Sequence, residues 1–228
     1  MLEINNVKKN FGKKKVLKGI TTSFKYGNIY GVIGSNGAGK STFFRCLCGL
    51  EKYTGSIIYK TKQKNIKNSI AYLPTEPYFY PKITGQEYLE FFSEISREKI
   101  SKSQIEFIKL FNLPLNTYIK SYSTGMRKKI SFLAILLLKR PIYILDEPFN
   151  GLDLDAVLLF KRVILKLQNN NAMILISSHM INSLTDICDT IQYLDEGVFT
   201  NKYFKDTYDK IESDLTKDIE DKVDMFFT

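Results

Sequence analysis

The hydrophobic positions in the first third of the chain form short runs that are typical of strands. Apolar and β-branched residues are concentrated at residues 2–7, 20–25, 29–33, 56–59 and 70–73. Runs of this length, bounded by glycine and polar residues, predict strands. The chain therefore begins with a region that is rich in β-structure.

The pattern changes to helical spacing over residues 84–138. Apolar side chains recur three and four positions apart, as in Tyr88, Phe92 and Ile95, which places them on one face of a helix. Pro114 interrupts the pattern. We therefore expect a helical insertion of more than one helix.

Two continuous apolar runs follow, at residues 142–145 and 172–177, with a helical stretch at 154–168 between them. Strands that are buried on both faces of a parallel sheet have such runs. Residues 191–194 and 198–203 flank a Glu-Gly pair and predict a hairpin. The alternation of strands and helices predicts an α/β fold with a doubly wound core, and no internal repeat is visible.

The segment after the third predicted strand matches the pattern G-x-x-x-x-G-K-[ST]. In this pattern backbone N–H groups surround a β-phosphate, the lysine reaches the β- and γ-phosphates, and the hydroxyl after it contacts Mg²⁺. A strand precedes the segment and a helix is predicted from Thr42 to Cys48, which is the required context. A glycine-rich turn without a ligand is the alternative, but it would not need the lysine. The segment consists of Gly34, Ser35, Asn36, Gly37, Ala38, Gly39, Lys40, Ser41 and Thr42.

An acidic pair, Asp146 and Glu147, ends the apolar run at residues 142–145. Asp146 would hold Mg²⁺ directly or through water. Glu147 would orient or deprotonate a water molecule in line with the γ-phosphate. Acidic turn residues that merely follow a strand are the alternative interpretation.

A serine and a glycine precede a helix with a basic first turn at residues 121–129. Alone, this arrangement is an ordinary helix N-cap. Gly125 lies 21 residues before Asp146, and together with the phosphate loop and the acidic pair the stretch resembles the ATP-binding cassette (ABC) family. The signature of that family, L-S-G-G-Q, has a relative of the form Y-S-x-G-M. Here the matching residues are Tyr122, Ser123, Thr124, Gly125 and Met126.

The resemblance covers residues 1–204 and implies the ABC ATPase architecture. That architecture has a P-loop NTPase core with a mixed, mainly parallel sheet, an antiparallel β subdomain and a helical insertion, here at about 84–138. Residues 205–228 form an acidic tail, which we expect to be partly helical. The tail is either a solvated extension or a docking arm.

The resemblance also assigns roles to single residues. Asp153 lies in the segment that corresponds to the D-loop, and Phe11 lies where an aromatic residue stacks on adenine. His179 follows an apolar strand, as the switch histidine of the family does, so the catalytic group would be Glu147, His179 and Lys40. Core packing is the alternative for Phe11, and a purely structural role is the alternative for His179.

One motif departs from the family. Residues 72–77 read Y-L-P-T-E-P, and Thr75 stands where the Q-loop glutamine is expected. Threonine is shorter and has a hydroxyl in place of an amide. Glu76 could substitute after a small loop shift, or the loop could be a surface turn. This departure predicts slow hydrolysis or altered coupling to a partner.

Three aromatic residues, Tyr78, Phe79 and Tyr80, follow this motif. They either pack between subdomains or form an exposed patch for another protein. In the family this surface receives a short helix from a separate membrane subunit.

Composition narrows the class of protein. The chain has 228 residues, 44% of them hydrophobic, and a net charge of +9, which permits anionic partners without selecting one. The apolar run at residues 130–138 is nine residues long, against about 20 for a membrane span, and the first residues lack the features of a secretory signal. We therefore expect a cytoplasmic protein at the inner face of the cell membrane.

Three cysteines without metal-ligand spacing predict reduced structural thiols.

The resemblance implies an ATPase subunit of an ABC transporter that uses ATP and Mg²⁺. The Y-S-x-G-M form and the compact length resemble the drug- and peptide-export branch of the family, so export is favoured over uptake. Ser41 and Asp146 would hold the metal, and the signature residues Ser123, Thr124, Gly125 and Met126 would meet ATP bound by a second copy. The expected partners are a second cassette, identical or related, and a separate transmembrane permease; nucleic acid is not expected. A soluble cassette acting on nucleic acid or ribosomes, and a poorly hydrolysing nucleotide sensor, are the alternatives.

Overall fold

A computed structural model describes residues 1–60 and 66–216 of the chain. The strands are β1 Leu2–Phe11, β2 Lys14–Phe24, β3 Ile29–Ile33, β4 Thr54–Tyr59, β5 Ile70–Leu73, β6 Ile142–Asp146, β7 Met173–Ser178, β8 Thr190–Asp195 and β9 Val198–Phe204. The α-helices are α1 Lys40–Leu47, α2 Gly85–Ser96, α3 Lys102–Lys109, α4 Thr124–Leu137, α5 Leu154–Asn169 and α6 at residues 209–216.

A six-stranded sheet forms the centre, in the order β5-β6-β7-β3-β8-β9. Its first five strands run parallel, and β9 pairs antiparallel with β8 at the edge. The strands β1, β2 and β4 form a separate antiparallel sheet in the order β2-β1-β4. The predicted α/β fold with a mixed sheet is therefore present.

Every residue of β3, β6 and β7 is buried. Side chains alternate between two clusters of core residues: Tyr143 and Leu145 face the cluster with α4 and α5, whereas Ile144 faces the cluster with α1 and the antiparallel sheet. This double burial explains why these strands are continuous apolar runs in the sequence.

The antiparallel hairpin is longer than the sequence predicted. The prediction ended the first strand at Val7 and began the second at Ile20, whereas β1 continues to Phe11 and β2 begins at Lys14. Five of the ten additional residues are lysines, so no regular apolar alternation marks this part of the hairpin. Register shifts in β1 also break the two-residue period.

The helical region contains α2, α3 and α4, with Pro114 between α3 and α4. Thr84 caps α2 reciprocally with Glu87, whose N–H donates to the Thr84 hydroxyl at 3.2 Å while its carboxylate accepts from the Thr84 N–H at 2.8 Å. The stacked rings of Phe132 and Phe160, 3.9 Å between centroids, join α4 to α5. Both rings belong to the same core cluster as Tyr143 and Leu145 of β6, so the helical region shares its core with the central sheet.

The helix after the phosphate loop begins earlier than predicted, at Lys40 instead of Thr42, and ends at Leu47 instead of Cys48. Gly39 has a φ of 112°, and its carbonyl accepts from the N–H of Phe43 at 2.8 Å. The helical hydrogen bonds therefore start directly at the glycine. As a result, Lys40 and Ser41 lie in the first turn of α1.

The three cysteines are free and buried, and burial raises the pKa of Cys46 to about 11 and that of Cys48 to about 12.

No helix within residues 1–60 and 66–216 is long and apolar enough to cross a membrane. In α6 the side chain of Ile211 is buried. The prediction for the rest of the acidic tail, residues 217–228, falls outside the described residues.

Candidate nucleotide-binding site

A cleft of about 500 Å³ lies at the carboxyl ends of β3, β6 and β7. Parallel strands bring side chains from distant parts of the chain to this edge. Phosphate-loop, aromatic, acidic and histidine side chains that the sequence singled out separately meet here. The lining residues are Phe11, Lys14, Val16, Asn36, Gly37, Gly39, Lys40, Ser41, Thr42, Thr75, Glu147, Asn150 and His179.

Lys40 is buried and is held by the loop that it belongs to. Its ammonium group donates to the carbonyls of Gly34 at 2.7 Å and Ser35 at 3.2 Å, and it lies 3.7 Å from the Glu147 carboxylate. The lysine therefore already points into the curve of the loop. Backbone N–H groups of the loop and the N-terminus of α1 provide further positive potential for a phosphate.

The register of β6 and β7 fixes the acidic pair. Asp146 lies opposite Ser177 in this parallel pairing. The buried Ser177 hydroxyl donates to the Asp146 carboxylate at 2.6 Å and accepts from the N–H of Glu147 at 2.9 Å. One hydroxyl thus positions both acidic residues. In the sequence, Ser177 is visible only as part of the strand before His179, because its partners Asp146 and Glu147 lie 31 and 30 positions away in the chain.

Glu147 has a left-handed backbone conformation, with a φ of 50°. Such a conformation costs about 1–3 kcal/mol in a residue with a side chain and persists only where the surroundings hold it. The Glu147 carboxylate lies 3.0 Å from Nδ1 of His179. The turn at Glu147 therefore aims the buried carboxylate across the cleft at both His179 and Lys40.

Lys128 is a residue of this region that the sequence analysis did not identify. It lies on α4, its side chain is only 2% exposed, and it donates to the carbonyls of Thr75 at 2.6 Å and Glu147 at 3.2 Å. Burial lowers the pKa of this lysine to about 8. In the sequence, Lys128 stands inside a run of three basic residues and resembles part of a solvated helix face, so no local signal distinguishes it.

The signature residues lie outside the cleft, at the N-terminus of α4. Ser123 is exposed and caps α4, its hydroxyl accepting from the N–H of Met126 at 3.2 Å. A Cβ atom on Gly125 would lie 2.7 Å from the carbonyl oxygen of Gly151, so only glycine fits there. Thr124 lies against the same backbone, with its methyl group 3.3 Å from where a Cβ atom on Gly151 would stand. The signature is therefore packed on the loop that contains Asp153.

Asp153 connects that loop to two helices. Its carboxylate caps α5 through the N–H of Ala156 at 2.8 Å and pairs with Lys129 of α4 at 2.9 Å. The hydrogen bond from Lys129 is the main cause that lowers the pKa of Asp153. The signature helix and the D-loop position are thus linked within one chain.

The oxygen donors suit Mg²⁺ in number and type. No group of three or more histidine, cysteine or acidic side chains that could hold a metal is found among the described residues. Mg²⁺ is usually bound through one or two carboxylates together with substrate phosphates. Ser41, which lines the cleft, and the buried Asp146, which ends β6, would offer such a limited set, whereas a site for zinc or calcium would need more ligands.

The family described as ABC transporter matches residues 17–150 of the chain, which include the phosphate loop and the acidic pair. This chain belongs to the ABC transporter family. It is 35% identical over 205 residues to the uncharacterized ABC transporter ATP-binding protein YhaQ of Bacillus subtilis, covering 86% of this chain and 69% of that protein.

Two further relatives from the ABC family are named for the transport of different substrates. The lantibiotic transport ATP-binding protein SrtF of Streptococcus pyogenes is 31% identical over 206 residues, covering 86% of this chain and 88% of that protein. The ribose import ATP-binding protein RbsA of Caldanaerobacter subterraneus is 30% identical over 214 residues, covering 86% of this chain and 43% of that protein.

Solved ABC cassettes share the fold. The ATP binding subunit of an ABC transporter superposes with a TM-score of 0.80 at 26% identity, over 96% of this chain and 93% of that one. The bacterial ABC transporter cassette MJ0796, solved as a dimer, gives a TM-score of 0.77 at 21% identity, over 90% of this chain and 99% of that one. The predicted P-loop NTPase architecture of an ABC ATPase is therefore confirmed.

Two positions of the ABC pattern have distinct surroundings here. Thr75 is exposed at the cleft and is fixed through its carbonyl rather than through its side chain. Phe11 is 46% exposed at the cleft, with the Lys9 ammonium 4.5 Å from its ring centroid. The Phe11 ring is therefore half exposed at the cleft and not packed in the core, which was the alternative to stacking on adenine.

Replacing Ser177 by alanine should destabilise the fold, because the buried Asp146 carboxylate loses its donor and the Glu147 N–H loses its acceptor. Hydrogen bonds to charged groups contribute about 1.5–3 kcal/mol, and we expect a loss of that size in the free energy of unfolding, measured with urea. Ser178→Ala is the matched control, since this neighbouring buried serine bonds only neutral groups, Met180 and Ser183. An equal or smaller effect of Ser177→Ala would contradict this assignment.

Proposed function

We propose that the chain binds ATP in the cleft and hydrolyses it as the energy-coupling subunit of a transporter. The convergence of Phe11, Lys40, Ser41, Glu147 and His179 in one cleft carries this proposal. These residues come from four separate segments of the chain, and their chemistry matches the parts of a nucleoside triphosphate: base, phosphates, metal and attacking water.

The phosphate loop would hold the triphosphate. Lys40 is now bonded to two neutral carbonyls and faces one carboxylate. Phosphate oxygens would be stronger partners for its ammonium group, since hydrogen bonds between charged groups are about twice as strong as neutral ones. Binding would therefore move Lys40 away from Glu147 and leave that carboxylate free to accept a proton. The ring of Phe11 would stack on adenine.

Ser41 and Asp146 would hold Mg²⁺. The ion would neutralise charge on the β- and γ-phosphate oxygens. Ser177 keeps one Asp146 oxygen occupied as an acceptor, and this fixes the orientation of the carboxylate.

Glu147 is proposed as the group that orients and deprotonates the attacking water, with His179 as the residue that aligns it. Their side chains are 3.0 Å apart at the open side of the cleft. A base within hydrogen-bond reach of a bound water contributes about 10²–10⁴-fold to such a reaction. The backbone turn directs the Glu147 side chain into the cleft, and its burial and its contacts with His179 and Lys40 limit the rotation of the carboxylate.

A second copy of the chain, or a related cassette, is proposed to complete the site. Ser123 and Gly125 carry no contact in the cleft of their own chain but present the exposed N-terminus of α4. A helix N-terminus attracts phosphate. Head-to-tail closure would place Ser123, Thr124, Gly125 and Met126 of one copy against the γ-phosphate bound by the other.

A membrane permease is proposed as the partner, with the chain peripheral on the cytoplasmic face of the membrane. Tyr78 and Tyr80 are 75% and 62% exposed and contact each other, whereas Phe79 between them packs on Tyr88. The exposed pair follows directly on the Thr75 loop, so a partner docked there would act on the cleft. SrtF is named for lantibiotic transport, which is compatible with the export that the sequence favours, whereas RbsA is named for import, which is the alternative.

Glu147→Gln should reduce ATP turnover at least about 100-fold, while nucleotide affinity remains. The amide keeps the shape of the side chain but accepts no proton. Steady-state phosphate release measures turnover, and gel filtration with ATP should show a longer-lived dimer of this variant. Turnover that persists in Glu147→Gln, or its absence in the wild-type chain alone and with its permease, would refute the ATPase proposal.

Tyr78→Ser combined with Tyr80→Ser should release the chain from membranes without changing its fold. The variant would be expressed in its native cells, and the membrane fraction would be compared with that of the wild type. Phe91→Ser is the control, because Phe91 is also half exposed but lies on α2. Recovery of the wild-type chain with ribosomes or nucleic acid instead of membranes would overturn the transporter proposal.

A further inference from the structure

Three consecutive basic residues on α4 have three different environments. Arg127 is exposed and donates to the carbonyl of Lys120 at 2.7 Å, and Lys129 pairs with Asp153. Lys128 alone points inward and is buried. Burying an ammonium group is costly unless it gains specific partners, so the contacts of Lys128 need an explanation.

Both hydrogen-bond partners of Lys128 are main-chain carbonyls in loops of the cleft. One belongs to Thr75, in the loop after β5, and the other to Glu147, in the loop after β6. The two carbonyls are 72 positions apart in the chain. The Lys128 ammonium therefore connects the loop nearest to the exposed tyrosines with the residue proposed as the base.

The Glu147 backbone needs such support. Its left-handed φ is held on the N–H side by Ser177 and on the carbonyl side by Lys128, with the N–H of Asn150 a second donor to that carbonyl at 3.4 Å. Removing one of these donors would let the backbone relax, and the carboxylate would move with it. A displacement of about 1 Å at a reacting group costs about 100-fold in rate.

The threonine at position 75 makes the contact between Lys128 and this loop more important. Threonine lacks the reach of the glutamine expected in the family, and the Thr75 side chain has no hydrogen bond to Glu147 or Asp146 among those found in the described residues. The Thr75 carbonyl, in contrast, is bonded to Lys128 at 2.6 Å. The main chain is thus the observed link between this loop and the catalytic turn.

We infer that Lys128 is a positioning residue that couples the loop at Thr75 to the catalytic turn at Glu147 within one chain. The inference rests on the proposed ATPase function. A partner that displaces the loop after β5 would pull on the Lys128 ammonium and thereby shift the Glu147 carbonyl. Lys128 lies on the signature helix α4, so a movement of α4 would also displace its ammonium group from the two carbonyls.

The test compares Lys128→Met, Lys128→Arg and the control Arg127→Met in the full chain. Methionine keeps much of the length but lacks the donors, arginine restores donors, and Arg127 is the neighbouring basic residue outside the cleft. Steady-state kinetics should show kcat about 10- to 100-fold lower in Lys128→Met, with KM for ATP within about twofold of the wild type. Lys128→Arg should recover part of the loss, and Arg127→Met should behave as the wild type.

Hydrogen exchange provides a readout that does not need turnover. In Lys128→Met, the backbone amides of the two loops should exchange at least about tenfold faster, while those of α5 stay unchanged. The amides to follow are those of Thr75, Glu76, Tyr78, Glu147, Phe149 and Asn150, since Pro77 and Pro148 have none. The inference fails if exchange and kcat of Lys128→Met equal those of Arg127→Met, or if exchange rises throughout the chain together with a loss of nucleotide affinity. If the wild-type chain has no Glu147-dependent turnover, the proposed function fails, but local exchange in the two loops still decides whether Lys128 couples them.

Discussion

The parallel pairing of β6 with β7 is the constraint on which the site depends. Its register sets Asp146 opposite Ser177, and the serine hydroxyl then bonds both the Asp146 carboxylate and the N–H of Glu147. A shift by one residue would turn these side chains to the other face of the sheet. Burial on both faces prevents such a shift, since every residue of the two strands contributes to a core.

Glu147 is held at each of its polar groups, and this explains how a strained conformation persists. Ser177 binds its N–H, Lys128 its carbonyl, and Lys40 and His179 flank its carboxylate. In our proposal, Lys40 would also bind the phosphates, and His179 would also contact the attacking water. Nucleotide binding would therefore change the surroundings of the carboxylate while its backbone stays fixed by the other two.

The sequence alone predicted the parts of the fold and site whose signals are local. The runs at Ile29–Ile33 and Ile70–Leu73 correspond to β3 and β5 without a change of boundary, because strands that are buried over all or most of their length require continuous apolar residues. The loop at residues 34–42 and the acidic pair were visible because their spacing is set by the chemistry of phosphate and metal. The hairpin of β1 and β2 was underestimated, because lysines on an exposed hairpin leave no hydrophobic period.

Ser177 and Lys128 could not have been identified in the same way. Each acts through partners that are distant in the chain, and each bonds backbone groups, which leave no mark on the identity of the partner residue. The signature residues, which were predicted to meet ATP bound by a second copy, do not line the cleft of their own chain: Ser123 and Gly125 lie at the N-terminus of α4, where Gly125 packs against the carbonyl of Gly151. We therefore propose that the cleft of one chain is half of a site, which the signature residues of a second cassette complete.

Mixing two inactive variants tests this claim most directly. Ser123→Asp keeps a good N-cap but sets a negative charge against the γ-phosphate of the partner, and Lys40→Met disables the phosphate loop. Each variant alone should show no turnover. A mixture should regain it, because a mixed dimer contains one site with an intact phosphate loop from one chain and an intact signature from the other. Full turnover by Ser123→Asp alone, or none in a mixture that demonstrably forms mixed dimers, would contradict the account.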